Sequence, residues 1–476
     1  MNHLNPHPHS KPSRAQIRAE VSALWQLAWP ILIGQLATVG MSVADVAMAG
    51  NASAQDLAGV SLGASIWSMV IITLMGVMMS VSPIVSHHVG AEEFRQVPHV
   101  VRQALWKALG LGLLAILVIN LSSLVFDLLE LDPLVRELAK SFVHVTSLAL
   151  PAFACYRVLY GYSASLNQTK PLMMIALAAL GLNVLLNWLL IYGHWGLPKL
   201  GGLGCAWSTM LCVWFNLGGL LWWMRRSPAY RSTWPFSHWE APHWPEIRSL
   251  LKLGLPIGVT YFAESSAFSL IALLVAKFGT TQVAAHQIAL NFASLMFMLP
   301  LSLGIALLTR VGQSLGAGDA YQARFRSWVG VGTALTLACA SAAFMALCSQ
   351  QIAAAYTGDA AVAALAAHLL IFAAIFQLSD ATQVATSCAI RGYKVTRAPM
   401  VIHLTAFWGF ALPLGCVLGL APAWLPWTPR QAMGASGFWI ALIVGLTIAA
   451  VALSALLRRV ARENLPQAGA RASTPA

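Results

Sequence analysis

Twelve stretches of this chain run for about twenty residues or more with almost no charge, and that feature removes most folds from consideration. They lie near 24–48, 57–84, 104–126, 138–162, 170–193, 202–224, 251–277, 283–309, 327–349, 362–390, 397–420 and 435–457. A bilayer core about 30 Å thick is crossed by about 20 helical residues rising 1.5 Å each. Of the 476 residues, 58% are hydrophobic and 9% charged, where soluble globular chains carry about 25% charged residues. No packed core could hide that much apolar surface, so lipid must cover part of it. Membrane-barrel strands would alternate in polarity over about ten residues. Here the runs are continuous: between Ile440 and Leu453, Thr447 is the only polar side chain. The fold class is therefore all-α, a polytopic membrane protein.

The net charge of +12 does not indicate nucleic acid, because the basic residues sit in short connectors between apolar runs. Their distribution sets a topology. Lys11, Arg14 and Arg18 precede the first span, and most other Lys and Arg follow the even-numbered spans, from Arg95, Arg102 and Lys107, taken with the connector although it stands at the edge of the third span, to Arg458, Arg459 and Arg462. The opposite connectors hold only Arg136, Lys140, Lys199, Lys277 and Arg430. Both termini are expected in the cytoplasm of a bacterium, with the chain in its inner (plasma) membrane. The first ~22 residues are polar and the span after them is too long for a cleavable signal. All seven cysteines fall in apolar segments without a CxxC pair, so they read as small buried hydrophobes, with no disulfide or structural zinc expected.

The chain also repeats. Pro30 in the first span is matched by Pro256 in the seventh, 226 residues on, and Val89-Gly90-Ala91 by Leu315-Gly316-Ala317 at the same offset. Lys170-Pro171 is echoed by Pro399, and Gly201-Leu203-Gly204 by Gly434 to Gly437. Six spans per half preserve orientation, so the halves form parallel repeats about an axis along the membrane normal. The expected organisation is a disordered cytoplasmic tail over 1–22, an N-lobe of six helices over 23–224, a cytoplasmic linker over 225–249, a C-lobe of six helices over 250–460, and a cytoplasmic tail over 461–476. Twelve transmembrane helices in two pseudo-symmetric lobes follow.

Thirteen of the sixteen acidic residues fall in tails, connectors or span ends, Glu20 among them; Asp45, Glu264 and Asp380 remain inside spans. A carboxylate at a helix centre costs about 2.5–3.5 kcal/mol on insertion scales, so it normally faces a cavity and has a task there. Glu264 lies midway along the seventh span, where a proton and a metal cation would compete for it. Asp380 stands among Gln377, Ser379, Thr382 and Gln383, which suggests a hydrated face. Asp45 lies late in the first span. Each could instead be a structural interhelical hydrogen-bonding group. Asn183 and Asn187, one turn apart, either line a cavity in the N-lobe or bond across helices. His286, Gln287 and Asn291 form a polar stripe in the eighth span, with His286 more in keeping with a structural role, as is Arg157. Pro30, Pro83, Pro256, Pro300 and Pro413 interrupt spans and permit bending. There is no HExxH, P-loop or GxSxG pattern. The chain is not expected to be an enzyme or to carry a cofactor, and transport energy would come from an ion gradient or from the solute's own.

Three stretches carry a family resemblance: Met41 to Gly50 (MSVADVAMAG), Val283 to Asn291 (VAAHQIALN) and Ala389 to Lys394 (AIRGYK). With them, over roughly residues 20–460, the chain resembles the multidrug and toxic compound extrusion (MATE) transporters, in particular their NorM-like bacterial branch. The resemblance implies two six-helix lobes around a central cleft and export of cationic, often aromatic compounds against Na+ or H+ entry. Members use acids in helices 1, 7 and 10; those positions hold Asp45, Glu264 and Asp380, which makes all three cation-coupling candidates. In NorM-like proteins the helix 7 and 10 acids form the cation site, which makes Glu264 and Asp380 the Na+ ligands here. Ser65, Gln287 and the loop residue Asp359 are similar in position to substrate contacts, and Asp45 and Asn291 join them as candidates. Phe297 and Phe376 stand where some relatives carry a tyrosine near the cation. The implied partners are small cationic substrates and the lipid bilayer, with a monomer sufficient. The rival of a related fold is a lipid-linked oligosaccharide flippase, which would favour a cationic cleft for pyrophosphate.

Overall fold

The computed structural model describes residues 12–128, 131–421 and 431–465. The ends of both expected tails and Arg430 lie outside them. Every described regular element is helical, as a lipid environment demands, since no water there can satisfy an open strand edge. Eleven helices are long and apolar enough to cross a membrane, and a bent pair supplies a twelfth. In chain order they are α1 (Arg14–Ala52), α2 (Ala54–Gly90), α3 (Val97–Asp127), α4 (Pro133–Ser147 with Leu150–Ser165), α5 (Lys170–Tyr192) and α6 (Gly202–Arg226). The second set is α7 (Trp244–Phe278), α8 (Thr280–Gly316), α9 (Ala320–Leu347), α10 (Ala360–Gly392), α11 (Arg397–Leu420) and α12 (Ala435–Glu463). The spans match the sequence reading to within a few turns.

The departures have physical causes. α1 starts at Arg14, so 14–22 are helical, not tail, and α12 continues to Glu463. α4 bends by 47° between its two pieces. Pro151 stands in the first turn of the second piece, where its missing N–H costs no helical bond. Gly112 of α3 lies against this corner: a Cβ there would come within 2.6 Å of Pro151 Cα. α2 is interrupted between Met78 and Val81. Lys107, which reads as a connector lysine in the sequence, is instead buried, and its Nζ donates to Val77 O at 3.2 Å and Ser80 Oγ at 2.8 Å. It supplies donors at the place where the helix break changes the pattern of backbone partners. α11 contains a π-helical turn over Thr405–Ala411, a feature that often marks functional sites.

Contacts divide the chain into two compact units. One comprises Met1–Ala28, Gly90–Glu92 and Ala263–Ala476; the other comprises Trp29–Val89 and Glu93–Phe262. α1 passes from the first unit to the second next to Pro30, and α7 passes the other way six residues beyond Pro256. The start of each long helix is fastened inside its own unit by an acid. Glu20 on α1 is buried, and Arg310 clasps it with two bonds of 2.5 and 2.6 Å while Arg326 Nε lies at 3.4 Å. Glu20 therefore is not a tail residue. In the other unit His99 presents one ring nitrogen to Glu246, at the start of α7, and the other to Glu240. Arg102 Nε also holds Glu240, at 2.5 Å. The connector between α6 and α7 is pinned as well. Tyr162 Oη donates to Thr233 O at 2.8 Å, Arg102 Nη1 to Pro235 O at 3.1 Å, Trp106 Nε1 to Glu240 O at 2.8 Å and Gln103 Nε2 to Ala241 O at 3.0 Å.

Candidate functional site

The three intraspan acids occupy two separate polar clusters, one per unit. In the unit that begins at Trp29, Asp45 of α1 is half-buried and accepts three hydrogen bonds from neutral donors. Asn187 Nδ2 donates to its Oδ1 at 2.6 Å and Asn183 Nδ2 to the same oxygen at 3.0 Å; Thr209 Oγ1 donates to Oδ2 at 3.0 Å. The two asparagines of α5 thus bond across helices to the acid, and are themselves fully buried. Asn183 also reaches Ser208 Oγ at 3.3 Å. Thr209 and Ser208 on α6 were not singled out in the sequence, where isolated hydroxyls in an apolar helix carry little signal. Burying a carboxylate costs several kcal/mol unless hydrogen bonds replace its hydration. This cluster provides that replacement without a counter-charge.

The other unit holds Glu264 on α7 and Asp380 on α10. The two carboxylates interact electrostatically with each other, and Glu264 also with the Arg391 guanidinium. Asp380 and Arg391 are buried and Glu264 is half-buried. With both acids ionised, two negative charges face one positive charge. Asp380 is also the head of a hydrogen-bonded chain. Gln383 Nε2 donates to its Oδ1 at 3.1 Å, His403 Nε2 meets Gln383 Oε1 at 2.6 Å, and His403 Nδ1 meets Pro399 O at 2.7 Å. Pro399 O can only accept, so Nδ1 carries hydrogen. With the amide in this orientation, Nε2 must carry hydrogen too. With the amide turned over, Gln383 Oε1 accepts a hydrogen bond from a neutral Asp380 carboxyl and its Nε2 donates to a neutral His403. The chain is therefore compatible with either charge state of the acid, because Gln amide orientation follows its partners.

Nearby, Trp408 in the π-helical turn of α11 donates Nε1–H to Ala263 O at 3.1 Å, beside Glu264. Phe376 packs its ring at 6.1 Å from Phe268 and 5.6 Å from Trp439. Gln377, one turn before Asp380, is buried with neither amide atom partnered. Sequence reasoning missed His403 and Arg391 as companions of the acids: both stand near the start or end of a span, where basic residues are ordinary.

The remaining candidates are dispersed. Gln287 and Asn291 are exposed and share one face of α8, with Tyr356 Oη donating to Asn291 Oδ1 at 3.0 Å. His286 points the other way, buried against Trp439 at 5.9 Å with both ring nitrogens unpartnered. The expected stripe therefore splits between two faces. Ser65 donates to its own helix at Ser61 O, at 2.8 Å. Asp359 caps α10 and accepts from Ala361 N at 2.8 Å and Val362 N at 3.2 Å. Arg157 lies over the Tyr160 ring, 4.6 Å from its centre. Among the described residues no group of three or more His, Cys, Asp or Glu side chains is gathered for a metal ion.

Eleven to twelve helices able to cross a membrane among the described residues, with three acids inside their spans, define a polytopic membrane protein. The chain belongs to the MATE family, in its NorM-like bacterial branch: the MatE family model matches residues 30–189 and 256–417. The two matched segments start 226 residues apart, the offset of the sequence repeat. The chain is 45% identical over 455 residues to multidrug resistance protein PmpM of Pseudomonas aeruginosa, covering 95% of this chain and 94% of that one. It is 42% identical over 457 residues to the probable multidrug resistance protein NorM of Chromobacterium violaceum, covering 96% and 97%. Its fold is similar to the crystal structure of the eukaryotic MATE transporter AtDTX14, with a TM-score of 0.85 at 19% identity, over 94% of this chain and 98% of that one.

Proposed function

We propose that this MATE transporter exports organic cations, including dyes and fluoroquinolone-type drugs, from the bacterial cytoplasm in exchange for Na+ or H+. The observation that carries this reading is the placement of two carboxylates, Glu264 and Asp380, inside membrane spans of one unit and within electrostatic reach of each other, with Arg391 near Glu264; with both acids ionised, acid exceeds base by one charge among these three. An unmatched buried charge is costly, so the site favours one monovalent cation. A lipophilic drug cation and a coupling ion can each meet that need, and one surplus charge does not hold both at full strength. Binding of the ion on the outer side then weakens the hold on the drug, a coupling free energy that acts equally in both directions.

Asp45 supplies a third carboxylate, held by Asn183 and Asn187, for the drug or a proton. Ser65, Gln287, Asn291 and Asp359 serve as further drug contacts. The names of the relatives support the drug-export part of this reading. The excess of acid over base at the C-lobe acids argues against the flippase, whose pyrophosphate would be repelled there. The chain works as a monomer with both termini in the cytoplasm. The organisation into 23–224, 225–249 and 250–460 remains the proposed division into N-lobe, linker and C-lobe.

The test uses the full chain in liposomes loaded with ethidium, under an inward Na+ gradient and, separately, an inward H+ gradient. Efflux driven by one of them, and lost in Glu264→Gln and Asp380→Asn, is expected. Folded protein that moves no cationic dye under either gradient would overturn the reading in favour of the flippase.

A further inference from the structure

Beside the end of α6 lies a cleft of about 530 Å³ lined by Met224, Arg225, Tyr230, Arg231, Trp234 and Phe236. Its two guanidiniums are exposed, and no carboxylate among the described residues lies within salt-bridge distance of either. The reason is visible in the connector itself. Its acids are committed elsewhere: Glu240 to Arg102 and His99, and Glu246 to His99 and, more loosely, His243. Other arginines near helix ends, such as Arg310 and Arg326, have found their acid. Arg225 and Arg231 have not.

The cleft is also built rather than incidental. Pro228–Thr233 forms a short 3-10 turn whose Tyr230 is fully buried and packs on Tyr162, ring centres 5.7 Å apart. Tyr162 then holds Thr233, and Arg102 holds Pro235. The backbone that carries Arg231, Trp234 and Phe236 is thereby fixed before any ligand arrives. A planar guanidinium fork matches phosphate oxygens in pairs. Apolar walls of Met, Trp and Phe beside it match the glycerol and first methylenes of a lipid. The position suits such a ligand, since Arg225 is in the last turn of a membrane-spanning helix and therefore at headgroup level.

We propose that this cleft binds a phosphate group in Arg225 and Arg231, supplied by the phosphodiester headgroup of an anionic phospholipid. A soluble organic phosphate is the other source with the same chemistry. The site is separate from the buried acids, and its role does not depend on which ion or drug the transporter carries.

The experiment places the full chain in nanodiscs containing phosphatidylglycerol and phosphatidylcholine, and counts retained lipid by native mass spectrometry. Wild type is compared with the Arg225→Gln/Arg231→Gln double variant and with Arg248→Gln, an exposed arginine in the second turn of α7 outside the cleft. A second arm titrates glycerol phosphate against protein in phosphatidylcholine alone. We expect wild type and Arg248→Gln to retain phosphatidylglycerol over phosphatidylcholine by about tenfold, and the double variant to lose that preference. Glycerol phosphate binding that depends on the same two arginines would support the phosphate site and assign it a soluble source. No preference in wild type in either arm overturns the proposal. So does a preference that survives in the double variant, or one lost equally in Arg248→Gln. All three proteins are exposed-site variants or wild type, and equal thermal unfolding midpoints separate lost binding from lost folding.

Discussion

The two units hold their membrane acids in opposite ways. Asp45 is surrounded by amides and a hydroxyl, three neutral donors that stabilise the carboxylate where it is. Glu264 and Asp380 instead lie within electrostatic reach of each other, and Glu264 also of the Arg391 guanidinium. Hydrogen bonds from neutral groups satisfy a charge without changing the net balance, whereas two acids near one guanidinium keep a net charge when both are ionised. The same contrast recurs where the long helices begin. Glu20 and Glu246 are 226 residues apart and both fasten a helix start, but Glu20 is clasped by arginines, and Glu246 by a histidine. Related halves have kept the position of the acid and changed its partner.

That comparison can be broken most severely at the paired acids. Glu264→Gln or Asp380→Asn is expected to lower gradient-driven dye efflux by about a hundredfold, near the upper end of ordinary coupling free energies. Asp45→Asn should instead weaken drug binding while leaving Na+ dependence in place. Efflux assays that found Asp45→Asn abolishing Na+ dependence, and the paired acids dispensable, would reverse the assignment of the two clusters. The next largest effect is on folding. Glu20→Gln strands two arginines beside a neutral amide, and removing one member of a buried ion cluster costs about 3–5 kcal/mol. A clear drop in the unfolding midpoint in detergent is expected, larger than for Glu246→Gln, whose pair is half-exposed.

A smaller effect separates the donors of Asp45 from the acid itself. Asn187→Leu leaves Oδ1 with one donor in place of two, and should cost about 1–3 kcal/mol. Thr209→Val should cost less, and a thermal scan of both would rank the two oxygens. The smallest expected effect is a pH response in the connector. Partial burial works against ionisation of Glu240, but bonds and charge from Arg102 and His99 outweigh it and hold the carboxyl below its ordinary range. A carboxyl depressed in the folded state contributes stability above its unfolded value, and that stability fades as pH falls through the folded one. Hydrogen exchange across 228–243 should therefore accelerate relative to the rest of the chain below about pH 4.

Much of the site was legible because burial cost can be judged from one residue and its neighbours along the chain. Three acids inside apolar runs stand out in the sequence, and the structure places two of them together. Gln383 was visible only as one of several polar residues near Asp380, and its link to His403 spans two helices. Gln287 and His286 illustrate the limit: adjacent in sequence and read as one stripe, they point to opposite sides of α8 because consecutive helical positions are about 100° apart. Glu20 and Lys107 were misplaced for a related reason. Charge near a span end reads as solvent-facing until a partner across the bundle is known.

The sequence by itself determined the helical class, the twelve spans, the 226-residue repeat and the identity of the membrane acids, since each follows from lengths and transfer costs counted along one chain. Tertiary structure alone decided the partners: Asn187 and Thr209 for Asp45, Arg391 and the Gln383–His403 chain for the paired acids, arginines for Glu20, and no carboxylate among the described residues for Arg225 and Arg231. Hydrogen bonds and ion pairs reach only about 3–4 Å. Which groups meet at that range depends on the rotation and bend of each helix, at Pro151, at the α2 break and at the π-turn of α11, and no count along the chain contains those angles.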